Sequence, residues 1–170
     1  MGIFRLVALI FYTPFFVSYI MINKIKHTGL ICLLMLSVLG WAQAPQGNIF
    51  STKQGAIDGY DVVAYFTQAK AVKGSKTFNT QWADATWYFA TAEHRDLFKA
   101  HPEKYAPAFG GFCAYGVAEG YKVKIDPGAW DIVDGVLYLN YDLGVQKTWR
   151  KNRPAFIEKA QKNWQGLKDQ

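Results

Sequence analysis

Two apolar runs, Asp131-Ile132-Val133 and Val136-Leu137-Tyr138-Leu139, are separated only by Asp134-Gly135. Aspartate followed by glycine supplies the two positive φ angles of a type I′ turn, whose twist matches that of the strands it joins. Residues 130–141 are therefore expected to form an antiparallel hairpin, because a parallel pair needs a crossover of a dozen or more residues. A second hairpin is expected over residues 78–90. There Phe78-Asn79-Thr80-Gln81-Trp82 alternates, Ala83-Asp84-Ala85 turns, and Thr86-Trp87-Tyr88-Phe89 returns. Asp61 to Phe66 (DVVAYF), β-branched and aromatic, reads as a further strand.

Short helices fill the intervals. Thr91 is a good N-cap for a helix over 92–100, because its hydroxyl can accept from an orphan backbone N–H. Pro102 ends that helix or starts a further turn through Tyr105. Gly110-Gly111 punctuates the chain before a small-residue segment, Phe112 to Ala118, read as a short helix closed by Gly120. Leu143 to Lys151 and Pro154 to Trp164 read as closing helices separated at Asn152. No βαβ pattern is evident. The expectation is a small single α+β domain of antiparallel hairpins with short helices.

That domain is expected to occupy residues 45–170. Ahead of it, residues 21–44 follow secretory signal-peptide grammar: a positive region at Lys24 and Lys26, an apolar run from Leu30 to Leu39, then small residues at Gly40, Ala42 and Ala44. Cleavage after Ala42 or Ala44 is expected, giving an exported, periplasmic protein. Residues 1–20 form an apolar extension with two readings. Either Met21 is the true initiator, or residues 3–22 span a membrane, being about the ~20 residues needed. In the second case the N-terminal segment is the only membrane contact.

Arg5, Lys24 and Lys26 lie in the first 44 residues with no acid beside them, so +3 of the formal +6 charge remains on the domain. Its basic residues are scattered, from Lys70, Lys73 and Lys76 to Lys122 and Lys124. Nucleic-acid binding wants a focused basic stripe and is excluded as an expectation. Cys32 lies inside the leader, which leaves Cys113 as the lone thiol after processing.

Three residues are candidates for chemistry, as a metal site made of Cys113, His94 and Asp61. His94 shares one helix face with Leu97, Phe98 and His101 and is expected to be partly buried near a helix N-terminus. Both features favour a neutral imidazole, the form a metal or a proton transfer uses. A core histidine bonded to backbone is the bland alternative. His101 cannot join His94 on one ion, since seven residues separate them by about 10 Å along the helix. Cys113 follows the glycine pair at a helix start, where free amides would favour its thiolate, and a small buried hydrophobe is the alternative. Asp61 reads either as a carboxylate ligand or as part of a Gly59-Tyr60-Asp61 turn. Zinc-protease, P-loop and nucleophile-elbow motifs are not found.

Several runs fall in the order of a known family: residues 59–66 (GYDVVAYF), 85–95 (ATWYFATAEHR), 102–107 (PEKYAP), 110–117 (GGFCAYGV) and 137–141 (LYLNY), with Val145-Gln146-Lys147 and Trp149. In these the chain resembles exported bacterial YHS-domain proteins over about residues 55–165. The resemblance implies a metal-binding role, often through cysteines near the Tyr-Phe strand end, where this chain has Ala90-Thr91. It also implies thiol chemistry or soft-metal ligation at Cys113, because some members of the similar subgroup carry selenocysteine there. Three functions follow as expectations. The first is a non-enzymatic module for a soft or borderline ion, copper or zinc, held by Cys113 and His94 with Asp61. The others are a thiol redox protein centred on Cys113 and a binding or scaffold module without chemistry. Neither a protein partner nor an enzymatic activity is specified.

Overall fold

The computed structural model describes residues 49–170. These residues lie within one of the chain's two compact units, Ala44–Gln170. The apolar extension and the signal peptide expected before it lie outside the described residues. Among the described residues no helix is long and apolar enough to cross a membrane.

The elements run β1 (Ser51–Thr52), β2 (Gly55–Ala56), a 3-10 turn (Ile57–Gly59), α1 (Val62–Thr67), β3 (Ser75–Trp82), β4 (Ala85–Phe89), α2 (Ala92–Ala100) and α3 (Pro102–Tyr105). A second 3-10 turn (Ala108–Gly111) leads into α4 (Ala114–Ala118), β5 (Asp126–Val133), β6 (Val136–Asn140), α5 (Leu143–Arg150) and α6 (Arg153–Leu167). The strands pair as three separate antiparallel two-stranded sheets, β1-β2, β3-β4 and β5-β6. This is the expected α+β class.

The β5-β6 hairpin turns at Asp134-Gly135 with φ of 51° and 76°, and Val133 faces Val136 across it. The β3-β4 hairpin turns on two residues, Ala83 and Asp84, with φ of 50° and 59°. Trp82 and Ala85 are its first pair. Along β4 the inward residues Ala85, Trp87 and Phe89 alternate with half-buried ones, as one buried sheet face requires. Thr91 caps α2 as expected, accepting from the His94 N–H at 3.1 Å. On that helix Phe98 is buried and meets the Trp87 and Phe89 rings at centroid distances of 4.9 and 5.2 Å.

One expected strand is a helix. Residues 62–67 form α1, and the Asp61 side chain is its N-cap, accepting from Val63 N at 2.9 Å and Ala64 N at 3.2 Å. The cap decides against the β propensity of two valines and two aromatics. Val62 to Tyr65 are all buried, so the segment has no polar face to reveal a period.

Strand β6 divides the core. Leu137 and Leu139 join a first cluster with Val62, Val63, Trp87, Phe89 and Phe98. Tyr138 faces a second with Phe109, Trp149, Ala160 and Leu167. Asp131 ties β5 to the closing helices, accepting from Arg150 Nε (2.9 Å), Arg153 Nη2 (2.9 Å) and Gln146 Nε2 (2.9 Å). Asn163 Nδ2 donates to the carbonyls of Val117 and Ala118 at 3.0 and 2.9 Å, fastening α6 to the end of α4. The glycine pair is needed for the turn that feeds α4. Gly110 and Gly111 have φ of 60° and 82°. A Cβ on Gly111 would lie 2.2 Å from Ile57 Cδ1, well inside contact distance.

Candidate functional site

The three candidate residues fall into two polar nodes. The first joins Asp61 and His94. Besides capping α1 with Oδ1, Asp61 accepts through Oδ2 from Ala90 N at 2.8 Å and from His94 Nδ1 at 2.6 Å. One fully buried carboxylate thereby holds the start of α1, the end of β4 and the first turn of α2. Four donors on two oxygens fill the approximately four acceptor sites of a carboxylate. Asp61 is engaged as an orienting anion, and its oxygens face protein donors.

With Nδ1–H given to Asp61, the other ring nitrogen of His94 meets Thr67 Oγ1 at 3.2 Å. Thr67 also reaches back to the Val63 carbonyl at 3.1 Å. Its single hydroxyl proton goes to one of these two acceptors, so the Thr67 rotor decides whether Nε2 receives a hydrogen bond from it. Thr67 is exposed, while His94 is 7% exposed. A carboxylate behind a histidine is the usual means of fixing which ring nitrogen is left for other work.

The second node surrounds Cys113, which is the N-cap of α4 and is 1% exposed. Its sulfur accepts from Gly116 N at 3.4 Å and from Tyr141 N at 3.2 Å. The thiol faces Asn140 Oδ1 at 3.9 Å, and the same oxygen accepts from Tyr115 N at 3.4 Å. Asn140 ends β6 with no exposed surface, and its Nδ2 has no hydrogen-bond partner. A buried donor without an acceptor is costly enough to require an account.

The acidity expected of Cys113 is reversed. The free amides of the helix start are present and do favour the anion, but burial outweighs them and holds the thiol above its ordinary range. Both sequence readings of Cys113 hold in part: its sulfur meets the amides, and the residue is buried as the alternative expects.

Cys113 and His94 share no hydrogen-bond partner in this arrangement, and Asp61 belongs wholly to the His94 node. Among the described residues no three His, Cys, Asp or Glu side chains are grouped to hold a metal ion. Sequence reasoning missed two participants. Thr67 directly follows the segment 61–66 expected as a strand, and only as the last residue of a helix does it come to His94. Asn140 carried one signal, an amide closing the apolar run Leu137-Tyr138-Leu139. His101, set aside on spacing grounds, is exposed at the C-cap of α2.

No protein-family model, curated protein or solved structure matches the chain.

Proposed function

We propose that the chain is an exported, YHS-type module whose working group is the Cys113 thiol, used in one-sulfur redox chemistry. The observation that carries this reading is the convergence of two backbone N–H groups on Sγ. Donors aimed at a sulfur favour the state in which that sulfur carries negative charge. The sulfur thereby also caps α4 and ties it to Tyr141, a role that an apolar residue of similar size could not fill. Burial acts in the opposite direction, so the resting group is the thiol and its reactions are slow and rise with pH. Export would leave Cys113 without another cysteine in the domain to form an internal disulfide, which suits exchange with small external thiols or disulfides.

The test is reaction of the folded protein with a small aromatic disulfide, read at Cys113 by peptide mass spectrometry across pH 6–10. Modification faster than global unfolding, increasing with pH and absent in Cys113→Ser, is the expected result. Modification only at the rate of global unfolding overturns the reading and leaves a binding or scaffold module.

A second reading, non-enzymatic binding of copper or zinc through Cys113 and His94, is favoured by the Asp61–His94 contact, which fixes the imidazole as metal sites do. In this form Asp61 orients and does not ligate. The two nodes being separate, such a site would be completed by a second copy or by an incoming ligand. Retention of Cu(I) or zinc by wild type, lost in both Cys113→Ser and His94→Gln, would select it over the thiol reading.

A further inference from the structure

Asn140 has no exposed surface, its carboxamide oxygen faces Cys113, and its carboxamide nitrogen has two N–H donors with nothing to receive them. Nδ2 is one of three buried side-chain polar atoms in the described residues without a partner, and the one whose own carboxamide adjoins a reactive atom. Its oxygen is already used twice, by the thiol and by Tyr115 N–H. What the node lacks is an acceptor. The sulfur can supply one by gaining an oxygen.

We propose that the carboxamide of Asn140 receives the oxygen that Cys113 gains when a small hydroperoxide oxidises its thiol to a sulfenic acid. The inference rests on the thiol reading given above. In the reaction, the thiol first loses its proton. The sulfur lone pair then attacks one oxygen of hydrogen peroxide. An S–O bond forms, the O–O bond breaks, and the departing hydroxide takes up a proton and leaves as water. Sulfur is oxidised by two electrons and the peroxide is reduced by two.

The product oxygen is an acceptor inside an apolar enclosure, where hydrogen bonds to charged or strongly polar oxygens are worth most. The carboxamide that meets the sulfur through Oδ1 carries Nδ2 beside it, so an oxygen added to Sγ on that side can accept from Nδ2 while Oδ1 keeps the Tyr115 N–H. The sulfenic O–H can replace the thiol as a donor to Oδ1. The reduced node leaves the Nδ2 donors without an acceptor, and the oxidised node gives them one. Asn140 is a positioning residue in this scheme, since it holds the product and takes no part in breaking the O–O bond. The same enclosure slows attack of a second peroxide on the sulfenic acid.

The experiment exposes full-length protein to hydrogen peroxide and quantifies Cys113 sulfenic acid, with a 1,3-dione probe, against sulfinic acid by peptide mass spectrometry. Wild type is expected to accumulate sulfenic acid. Asn140→Asp keeps an acceptor for Tyr115 N–H and the thiol while deleting the amide donors. It is expected to lower the sulfenic-to-sulfinic ratio about tenfold and, because a buried carboxylate beside the sulfur disfavours the thiolate, to slow the first step of thiol loss, a pairing that mere loosening of the fold, which would speed thiol loss, would not produce. An equal ratio in the two proteins overturns the inference. So does absence of sulfenic acid in wild type that nevertheless reacts with the aromatic disulfide. Failure of both reagents on folded protein instead overturns the thiol reading itself. Should Asn140→Asp not fold, the Nδ2 proton resonances of wild type decide the matter: they should move downfield on oxidation, and unmoved resonances overturn the inference.

Discussion

Asp61 and Asn140 are both wholly buried polar side chains at the end of an element, and each touches a residue with chemical potential. They differ in their accounts of hydrogen bonds. Asp61 meets four donors and leaves none waiting. Asn140 accepts twice through oxygen and leaves its nitrogen unmatched. A saturated node is rigid and holds one arrangement, because any change strands a buried group. An unsaturated one is poised for a change that adds an acceptor. On the proposal above, the first node serves the fold's architecture and the second its chemistry.

The largest expected effect is at Asp61. Asp61→Ala removes the cap of α1, the side-chain acceptor of Ala90 N, and the partner of a buried imidazole. Losing one member of such a buried charged network costs about 3–5 kcal/mol. A fall in the urea midpoint of that size, with unchanged m-value, is the expected outcome. A loss below about 1 kcal/mol would show that the node is not what holds α1, β4 and α2 together, and would reopen Asp61 to a ligand role.

The sequence made the β5-β6 hairpin plain, because its turn rests on local φ requirements that Asp134-Gly135 satisfies with no help from distant residues, and it placed the β3-β4 hairpin but counted Ala85 in a turn that Ala83 and Asp84 make alone. It also marked Thr91 as a cap, since a cap is read within three residues. Asp61 shows the limit. Its partners Ala90 and His94 lie some thirty positions away, so the same aspartate could be read as a turn residue or a ligand, and the apolar run after it as a strand. Cys113 was visible as a thiol at a helix start. Its enclosure depends on β6 and the Tyr141 amide, which no window around residue 113 contains. Asn140 stayed unread for the same reason.

A smaller effect separates the nodes by pH. The pKa of Cys113, raised by burial, means that the folded state keeps a thiol proton the unfolded chain gives up near the ordinary value of about 8.5. Stability contributed by the neutral thiol is thus complete below that pH and is lost as pH rises through the folded value. Cys113→Ala is expected to destabilise by about 1–2 kcal/mol at pH 7, chiefly by stranding two N–H groups. The gap to wild type should narrow as pH rises from about 8.5, measured as thermal midpoints under reducing conditions. Tyr65 and Tyr138, also raised by burial, act in both proteins and cancel from the difference. A gap independent of pH would show that the amides balance the burial, and the contrast between a resting thiol and a poised one would fail.

The smallest effect tests whether the Asp61 node is closed on its outer side. Thr67→Val keeps the shape and the β-branch, so the helix propensity of that position hardly changes. It deletes only the hydroxyl between the Val63 carbonyl and His94 Nε2. Thr67 is exposed, so water can replace the hydroxyl at Nε2, and the substitution is expected to cost less than about 1 kcal/mol. The check pairs that stability measurement with the exchange rate of the His94 ring proton at Nδ1, which should stay slow because its acceptor, Asp61, is untouched. A cost above about 2 kcal/mol would mean that Nε2 has no access to water and that the hydroxyl is an integral member of the network. Histidine 94 would then be a wholly internal residue, and the metal reading would lose the one ring nitrogen on which it depends.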